Sequence, residues 1–236
     1  MEHITIGQIE ACAEVPALAS DEIHLWLMAL EGAIPPRAIS GYARAQLGRF
    51  LRAYAADCEQ PPSISRNDYG KPFVLEAGYP YFNLSHAGRF IAFAFSRTQD
   101  IGVDVEAFRR RRAPLLLAER FFSPDETKAL ATLDSSQLDN AFVRLWTGKE
   151  AVLKALGRGI AFGLERLSFR VTGDGIGGEL ISIAEEAGPV DAWQLCRFDA
   201  DHEHCGALAW RGAAQKVRAM RVMSPVSLSY PVQLEC

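Results

Sequence analysis

Apolar residues recur along the chain with two different periods, and the switches between them mark out its elements. Residues 22–30 put Ile23, Leu25 and Leu27 on one side and Trp26 and Met28 on the other, the pattern of a strand buried on both faces and so central in a sheet. After the break at Pro35-Pro36, apolar positions at Tyr42, Leu47, Phe50, Leu51 and Tyr54 predict a helix over 40–55, with Arg44, Arg49 and Arg52 on its other face. Residues 90–96 read as a strand, and the polar turn at 97–100 leads into Ile101-Gly102-Val103-Asp104-Val105-Glu106, so the two are expected to form a hairpin. Ser123-Pro124-Asp125-Glu126 is a helix start, with Ser as N-cap, Pro at the first helical position and Glu where a capping box needs it. A second helix is predicted over 137–156, ending at Gly157, with Leu138, Phe142, Leu145, Val152, Leu153 and Leu156 as its buried stripe. Beyond it, residues 164–171, 193–198 and 206–210 are strand-like, with a glycine-rich turn at 173–178. Residues 1–20 carry little pattern.

Each half of the chain thus offers strands and a helix. The expectation is an α+β protein of two similar, pseudo-symmetric lobes with the active site between them: 1–100, 101–223, and a loosely attached tail at 224–236. A length of 236 residues with 49% hydrophobic composition suits one large core or two small ones. A net charge of −4 gives no reason to expect nucleic acid or an anionic membrane as partner. No apolar run approaches the roughly 20 residues of a membrane span, and the first residues lack a signal-peptide pattern. Five scattered cysteines without a CxxC pair read as reduced thiols, which points to the cytoplasm.

The strand at 101–106 sets Asp104 and Glu106 on one face, with Cβ atoms on the order of 6–7 Å apart. At an effective dielectric of about 20 such a pair repels by roughly 3 kcal/mol, tolerable in open solvent but not in a cleft without a cation. Hard oxygens on a rigid strand suit Mg²⁺. A solvated edge strand is the other reading. In the second helix, Trp146, Glu150 and Lys154 fall in one row at i, i+4 spacing. Glu150 and Lys154 make either a surface ion pair or a third carboxylate and a cation for that metal site. Gly148 in mid-helix costs roughly 1 kcal/mol against Ala and allows another group to come close.

Trp146-Thr147-Gly148-Lys149-Glu150-Ala151, followed by Lys154 and Gly157-Arg158-Gly159, resembles the WxxKEAxxKxxGxG signature of the Sfp-type 4′-phosphopantetheinyl transferases. IGVDVE resembles their second signature, and GKPF from Gly70, FNLSHAG from Phe82 and ERFFSPDE from Glu119 resemble further segments, all in family order. The resemblance implies transfer of the phosphopantetheine arm of coenzyme A to a serine of an acyl or peptidyl carrier protein, releasing adenosine 3′,5′-bisphosphate. It implies Mg²⁺ on Asp104, Glu106 and Glu150, with Glu150 also the base for the serine and Lys154 stabilising the pyrophosphate with Lys149. Lys71, Ser85 and His86 match residues that bind the 3′-phosphate of coenzyme A. Glu126 falls where the family has an acid, although its capping role already accounts for it.

Between Leu30 and Gly41 the chain is shorter than family members that carry a basic element there; Arg37, Arg44 or Arg49 would have to substitute in holding the adenine end. The four arginines at 109–112 are either a solvated loop or a steering patch for an acidic carrier. Asp201-His202-Glu203-His204-Cys205 resembles a metal cluster in composition, but adjacent side chains in a hairpin turn are not expected to converge on one ion without a special loop. Two rival readings are a coenzyme A-binding protein without turnover and a magnesium-dependent nucleotide hydrolase. Two lobes in one chain would make a complete site, so a monomer is expected.

Overall fold

The computed structural model describes residues 2–30, 35–55, 58, 61–108, 113–172 and 178–222. The arginine run at 109–112, the tail at 224–236 and residues 31–34 of the shortened segment lie outside them. Two mixed sheets carry the fold. The first contains β2 (Glu10–Cys12), β13 (Lys216–Val222), β3 (Glu22–Ala29), β7 (Phe90–Ser96) and β6 (Tyr81–Ala87), in that order. The second runs β1 (Glu2–Ile4), β11 (Trp193–Asp201), β12 (His204–Arg211) and β8 (Ile101–Ala107). Small two-stranded ribbons, β4 (Ile64–Arg66) with β5 (Pro72–Val74) and β9 (Leu167–Phe169) with β10 (Leu180–Ile183), complete the strands.

The layers follow from the alternation within each strand. Ile23, Leu25 and Leu27 of β3 and Phe90, Ala92 and Ala94 of β7 pack in one cluster with Ile101, Val103 and Val105 of β8 and Phe198, Leu208 and Trp210. This is the core between the sheets. The other face of the first sheet, with Trp26, Met28, Phe93 and Phe95, is covered by Leu47, Phe50, Leu51 and Tyr54 of α1 (Pro36–Tyr54). The other face of the second sheet is covered by Phe142, Leu145, Val152 and Leu153 of α4 (Ser135–Leu156). The order is helix, sheet, sheet, helix, an α+β architecture.

The ends of the chain cross over. β1 joins the second sheet beside β11, while β13 lies between β2 and β3 of the first, parallel to both. The expected hairpin of β7 with β8 is not formed. β7 pairs with β3 and β6, and β8 pairs with β12, so the turn at 97–100 carries the chain from one sheet to the other. Both strands are apolar toward the inter-sheet core, and stacking face to face buries those residues without edge pairing. The hairpin is instead β6–β7, across Gly88, whose φ of 54° lies in the left-handed region. The region at 164–171 holds only three residues of strand, Leu167–Phe169, after a short 3-10 turn.

The stop at Gly157 and the capping box at Ser123 are as the sequence predicts, while α4 and α1 begin two and four residues earlier than expected. The Asp134 carboxylate accepts from the backbone N–H groups of Ser136 and Gln137 at the start of α4, and Gly157 at φ 68° ends it. Ser123 and Glu126 form the capping box of α3 (Pro124–Ala131). It follows α2 (Pro114–Phe121), a helix the periodicity did not indicate.

Candidate active site

Gly102 of β8 brings the site together. A Cβ at that position would stand 2.0 Å from the Ala151 carbonyl oxygen and 2.4 Å from the Ala155 nitrogen, so α4 crosses β8 in backbone contact there. Two residues along the strand, on the same face, is Asp104; on the helix side of the crossing are Glu150 and Lys154. The Lys154 Nζ donates to Asp104 Oδ1 at 2.7 Å, to the Val103 carbonyl oxygen at 3.1 Å and to Ser85 Oγ at 3.0 Å. The Ser85 hydroxyl in turn donates to Asp104 Oδ1 at 2.8 Å. Ser85 belongs to β6, the edge strand of the other sheet. One strand position earlier on that face, Asn83 Oδ1 accepts the Val103 N–H at 3.0 Å. Side chains of β6 and α4 thus occupy the free edge of β8.

The carboxylates are held at electrostatic cost. Burial above all, then the charge of Asp104, push the Glu150 carboxyl above its usual range; Lys154 draws it down and Glu106 adds to the rise. Asp104 Oδ2 and Glu150 Oε1 are both buried without a hydrogen-bond partner. Such an orphan oxygen costs about 1–3 kcal/mol, and two of them among three acids is a poor arrangement for a structural ion pair alone. Glu106 follows Asp104 on the same face of β8, half-buried.

The other expected residues lie elsewhere. Lys149 is fully buried and does not reach this cluster: its Nζ pairs with Glu126 Oε2 at 2.7 Å and donates to the carbonyl oxygens of Leu164 at 2.8 Å and Leu167 at 2.5 Å. Successive helix positions point about 100° apart, so Lys149 and Glu150 cannot serve the same side. Glu126 is taken up likewise, accepting from Ser123 N at 3.0 Å and Phe169 N at 2.8 Å besides Lys149. Lys71 sits at the C-terminal end of α4, its Nζ donating to Asp100 Oδ1 at 2.6 Å and to the Ala155 carbonyl oxygen at 3.1 Å. Burial pulls its pKa down and Asp100 pulls it back. The turn that carries Lys71 is docked there by Asn67, which donates to the Gly157 carbonyl oxygen at 2.8 Å. His86 projects from β6 on the face opposite Ser85 and is exposed. In the β11–β12 turn, Asp201 Oδ1 accepts from Glu203 N and contacts His204 Nδ1, each at 2.8 Å, while Asp201 Oδ2 accepts from Arg89. Against the expectation for a hairpin turn, one ligand atom each of Asp201, Glu203 and His204 lies within 4.8 Å of the others, although Asp201 and His204 are already hydrogen-bonded to each other.

A profile of the 4′-phosphopantetheinyl transferase superfamily matches residues 100–209, the stretch that holds Asp104, Glu106, Glu150 and Lys154. The chain is 33% identical over 185 residues to the 4′-phosphopantetheinyl transferase HetI of a Nostoc species, covering 66% of this chain and 76% of that one. The chain belongs to the 4′-phosphopantetheinyl transferase superfamily. It is also 36% identical over 112 residues to the 4′-phosphopantetheinyl transferase Sfp of Bacillus subtilis, covering 48% of this chain and 49% of that protein. A putative 4′-phosphopantetheinyl transferase of a Synechocystis species is 37% identical over 122 residues, half of each chain. The chain spans about half the length of these last two relatives.

The residues present fit the divalent cation that this superfamily implies. Two orphan carboxylate oxygens, a third acid on the same strand face and an all-oxygen donor set are what Mg²⁺ takes. The sequence pointed to Asp104, Glu150, Lys154 and Ser85. It did not point to Gly102 as the contact that joins them, although a glycine inside a strand signals close backbone approach. Among the described residues, no helix is long and apolar enough to cross a membrane.

Proposed function

We propose that this chain transfers the 4′-phosphopantetheine arm of coenzyme A to a serine hydroxyl of an acyl or peptidyl carrier protein. The carrying observation is Asp104 tied to Lys154 and Ser85 at the seam between the sheets, with Glu150 close enough for the charges of Asp104, Lys154 and Glu106 to act on it and an orphan buried oxygen on each of Asp104 and Glu150. Asp104, Glu106 and Glu150 would hold Mg²⁺. Bound there, the ion offsets the carboxylates and the negative charge that grows on the leaving phosphate.

The chain's own groups do the rest. Glu150, raised by burial and by Asp104, takes the proton of the carrier serine as its oxygen bonds to the pantetheine-side phosphorus. The bond from that phosphorus to the bridging oxygen breaks, and adenosine 3′,5′-bisphosphate leaves with the electron pair. Lys154 carries positive charge beside that leaving group. Ser85, at hydrogen-bond distance from Lys154, keeps that ammonium in place, and Lys71 and His86 meet the 3′-phosphate of coenzyme A. Because Ser85, Asp104, Glu150 and Lys154 come from one chain, a monomer suffices for the reaction. The four described cysteines are free thiols, in keeping with a cytoplasmic enzyme.

The test is intact-mass spectrometry of an apo-carrier protein after incubation with this protein, coenzyme A and Mg²⁺. A gain of one phosphopantetheine, lost with a chelator or with Glu106→Ala, is the expected result. No gain across fatty-acid, polyketide and peptide carriers, with coenzyme A still bound, would replace this reading with that of a binding protein.

A further inference from the structure

The sheet face under α4 carries a charge that the site does not use. In register across the strands, His3 of β1 stands beside Arg197 of β11, Arg197 beside Ala207 of β12, and Ala207 beside Asp104 of β8. Arg197 and Asp104 therefore share one face two strands apart, about 10 Å at the usual strand spacing. Arg197 is fully buried. Its Nη1 donates to the Arg144 carbonyl oxygen of α4 at 2.5 Å, and its Cζ lies 5.6 Å from the centre of the Phe169 ring. Its Nε and Nη2 have no hydrogen-bond partner. Among the described residues no carboxylate pairs with it; Asp199, on the same strand, is engaged by Arg144 at 2.8 Å and His3 at 3.0 Å. Burial pushes the guanidinium down to about 10, so it remains charged at neutral pH.

The guanidinium fills a notch in α4. A Cβ on Gly148 would stand 2.9 Å from Nη2, 3.3 Å from Nη1 and 3.4 Å from Cζ. The helix accepts a glycine in its interior, and the sheet accepts an unpaired buried cation, at one and the same contact. Either feature alone is unfavourable for packing. Together they lock two rigid parts. α4 touches the sheet closely at two places, Arg197 at residues 144–148 and Gly102 at residues 151–155, and Glu150 lies between them. These two close contacts flank Glu150 and oppose sliding or rolling of the helix.

We propose that Arg197, seated against Gly148, is a positioning residue that sets the register of α4 so that Glu150 stands at Asp104 and Glu106 for a divalent cation. This rests on the metal reading given above. It assigns to Gly148 the role of admitting a side chain of the protein itself.

The test is titration of the full chain with Mg²⁺ by calorimetry, alongside transfer kinetics and thermal melting. Arg197→Met keeps bulk but loses the fork; it is expected to weaken Mg²⁺ binding about tenfold, as loss of supporting contacts around a metal does. kcat falls while KM for coenzyme A stays within about twofold, since the substrate contacts are untouched. Gly148→Ala, the milder intrusion, shifts both in the same direction and serves if Arg197→Met does not fold. The double exchange Gly148→Leu with Arg197→Ala refills the space from the helix side and returns Mg²⁺ affinity to within about threefold, the non-additivity of a direct contact. Mg²⁺ affinity and kcat unchanged in Arg197→Met and Gly148→Ala, with only the melting temperature lowered, would make Arg197 a filler and overturn the proposal. A wild-type chain that binds Mg²⁺ but modifies no carrier overturns the transfer reading and leaves the Mg²⁺ titrations to decide Arg197. A wild-type chain that binds no Mg²⁺ overturns the positioning role.

Discussion

The α-carbon of Gly102 lies so close to Ala151 that a methyl group on it would sit 2.0 Å from the Ala151 carbonyl oxygen. No side-chain rotation relieves that overlap, because the neighbour is helix backbone. Gly102→Ala is expected to lift α4 from β8, with a loss of about 1–3 kcal/mol or more in urea denaturation. The same variant should lose carrier modification, since Glu150 and Lys154 move with the helix. A variant of wild-type stability and activity would mean that the two backbones can part without consequence.

The buried pair of Lys149 with Glu126 predicts a stability effect. Both side chains are almost wholly enclosed, so Lys149→Met leaves a carboxylate without its cation. The expected loss is about 3–5 kcal/mol by chemical denaturation. Coenzyme A affinity, measured on the folded fraction at low temperature, should be unchanged. A large loss of affinity at intact stability would return Lys149 to the substrate site.

The acid cluster predicts how the protein answers to metal. At a hundred times its dissociation constant, Mg²⁺ should stabilise the chain by about 2.7 kcal/mol in thermal unfolding. Glu150→Gln removes a charge that burial and Asp104 disfavour. Each kcal/mol so recovered raises the melting temperature of the metal-free protein by about 2–4 °C, while the response to Mg²⁺ disappears. A variant that keeps the full Mg²⁺ response would place the ion elsewhere.

Stability should also depend on pH through His24. This residue is fully buried, with Nδ1 2.8 Å from the Tyr54 hydroxyl oxygen, and burial lowers its pKa from 6.5 despite Glu22. The unfolded chain therefore binds the proton more readily than the folded one. Stability is fully present above about 6.5 and falls as the pH drops below it toward the lowered folded value. His24→Phe should flatten this slope between pH 7 and 5 relative to wild type. Equal slopes would assign the acid sensitivity to other groups.

Much of the fold, and the meeting of Asp104 with Lys154 in the candidate site, could be read from the chain. The period of two at 101–106 assigned Asp104 and Glu106 to one face, and i, i+4 spacing joined Glu150 to Lys154. Alternation says which way a strand faces but not which strand it pairs with, so β7 and β8 were expected as a hairpin when they stack from opposite sheets. Lys149 stands next to Glu150 in sequence and a third of a turn away in space. β1 and β2, three residues each, are too short to show a period. Arg197 gives no signal in the sequence: an arginine in a strand reads as a solvent-facing position, and only the helix above it makes that position interior.

The crossing of the chain ends bears on synthesis as well as on shape. β3 emerges from the ribosome nearly two hundred residues before β13, the strand that must lie between it and β2. Until then one side of β3 has no backbone partner, and the early half of the protein waits with an open, apolar edge. Completion of the first sheet is thus tied to the arrival of β13, long after β3 has been made.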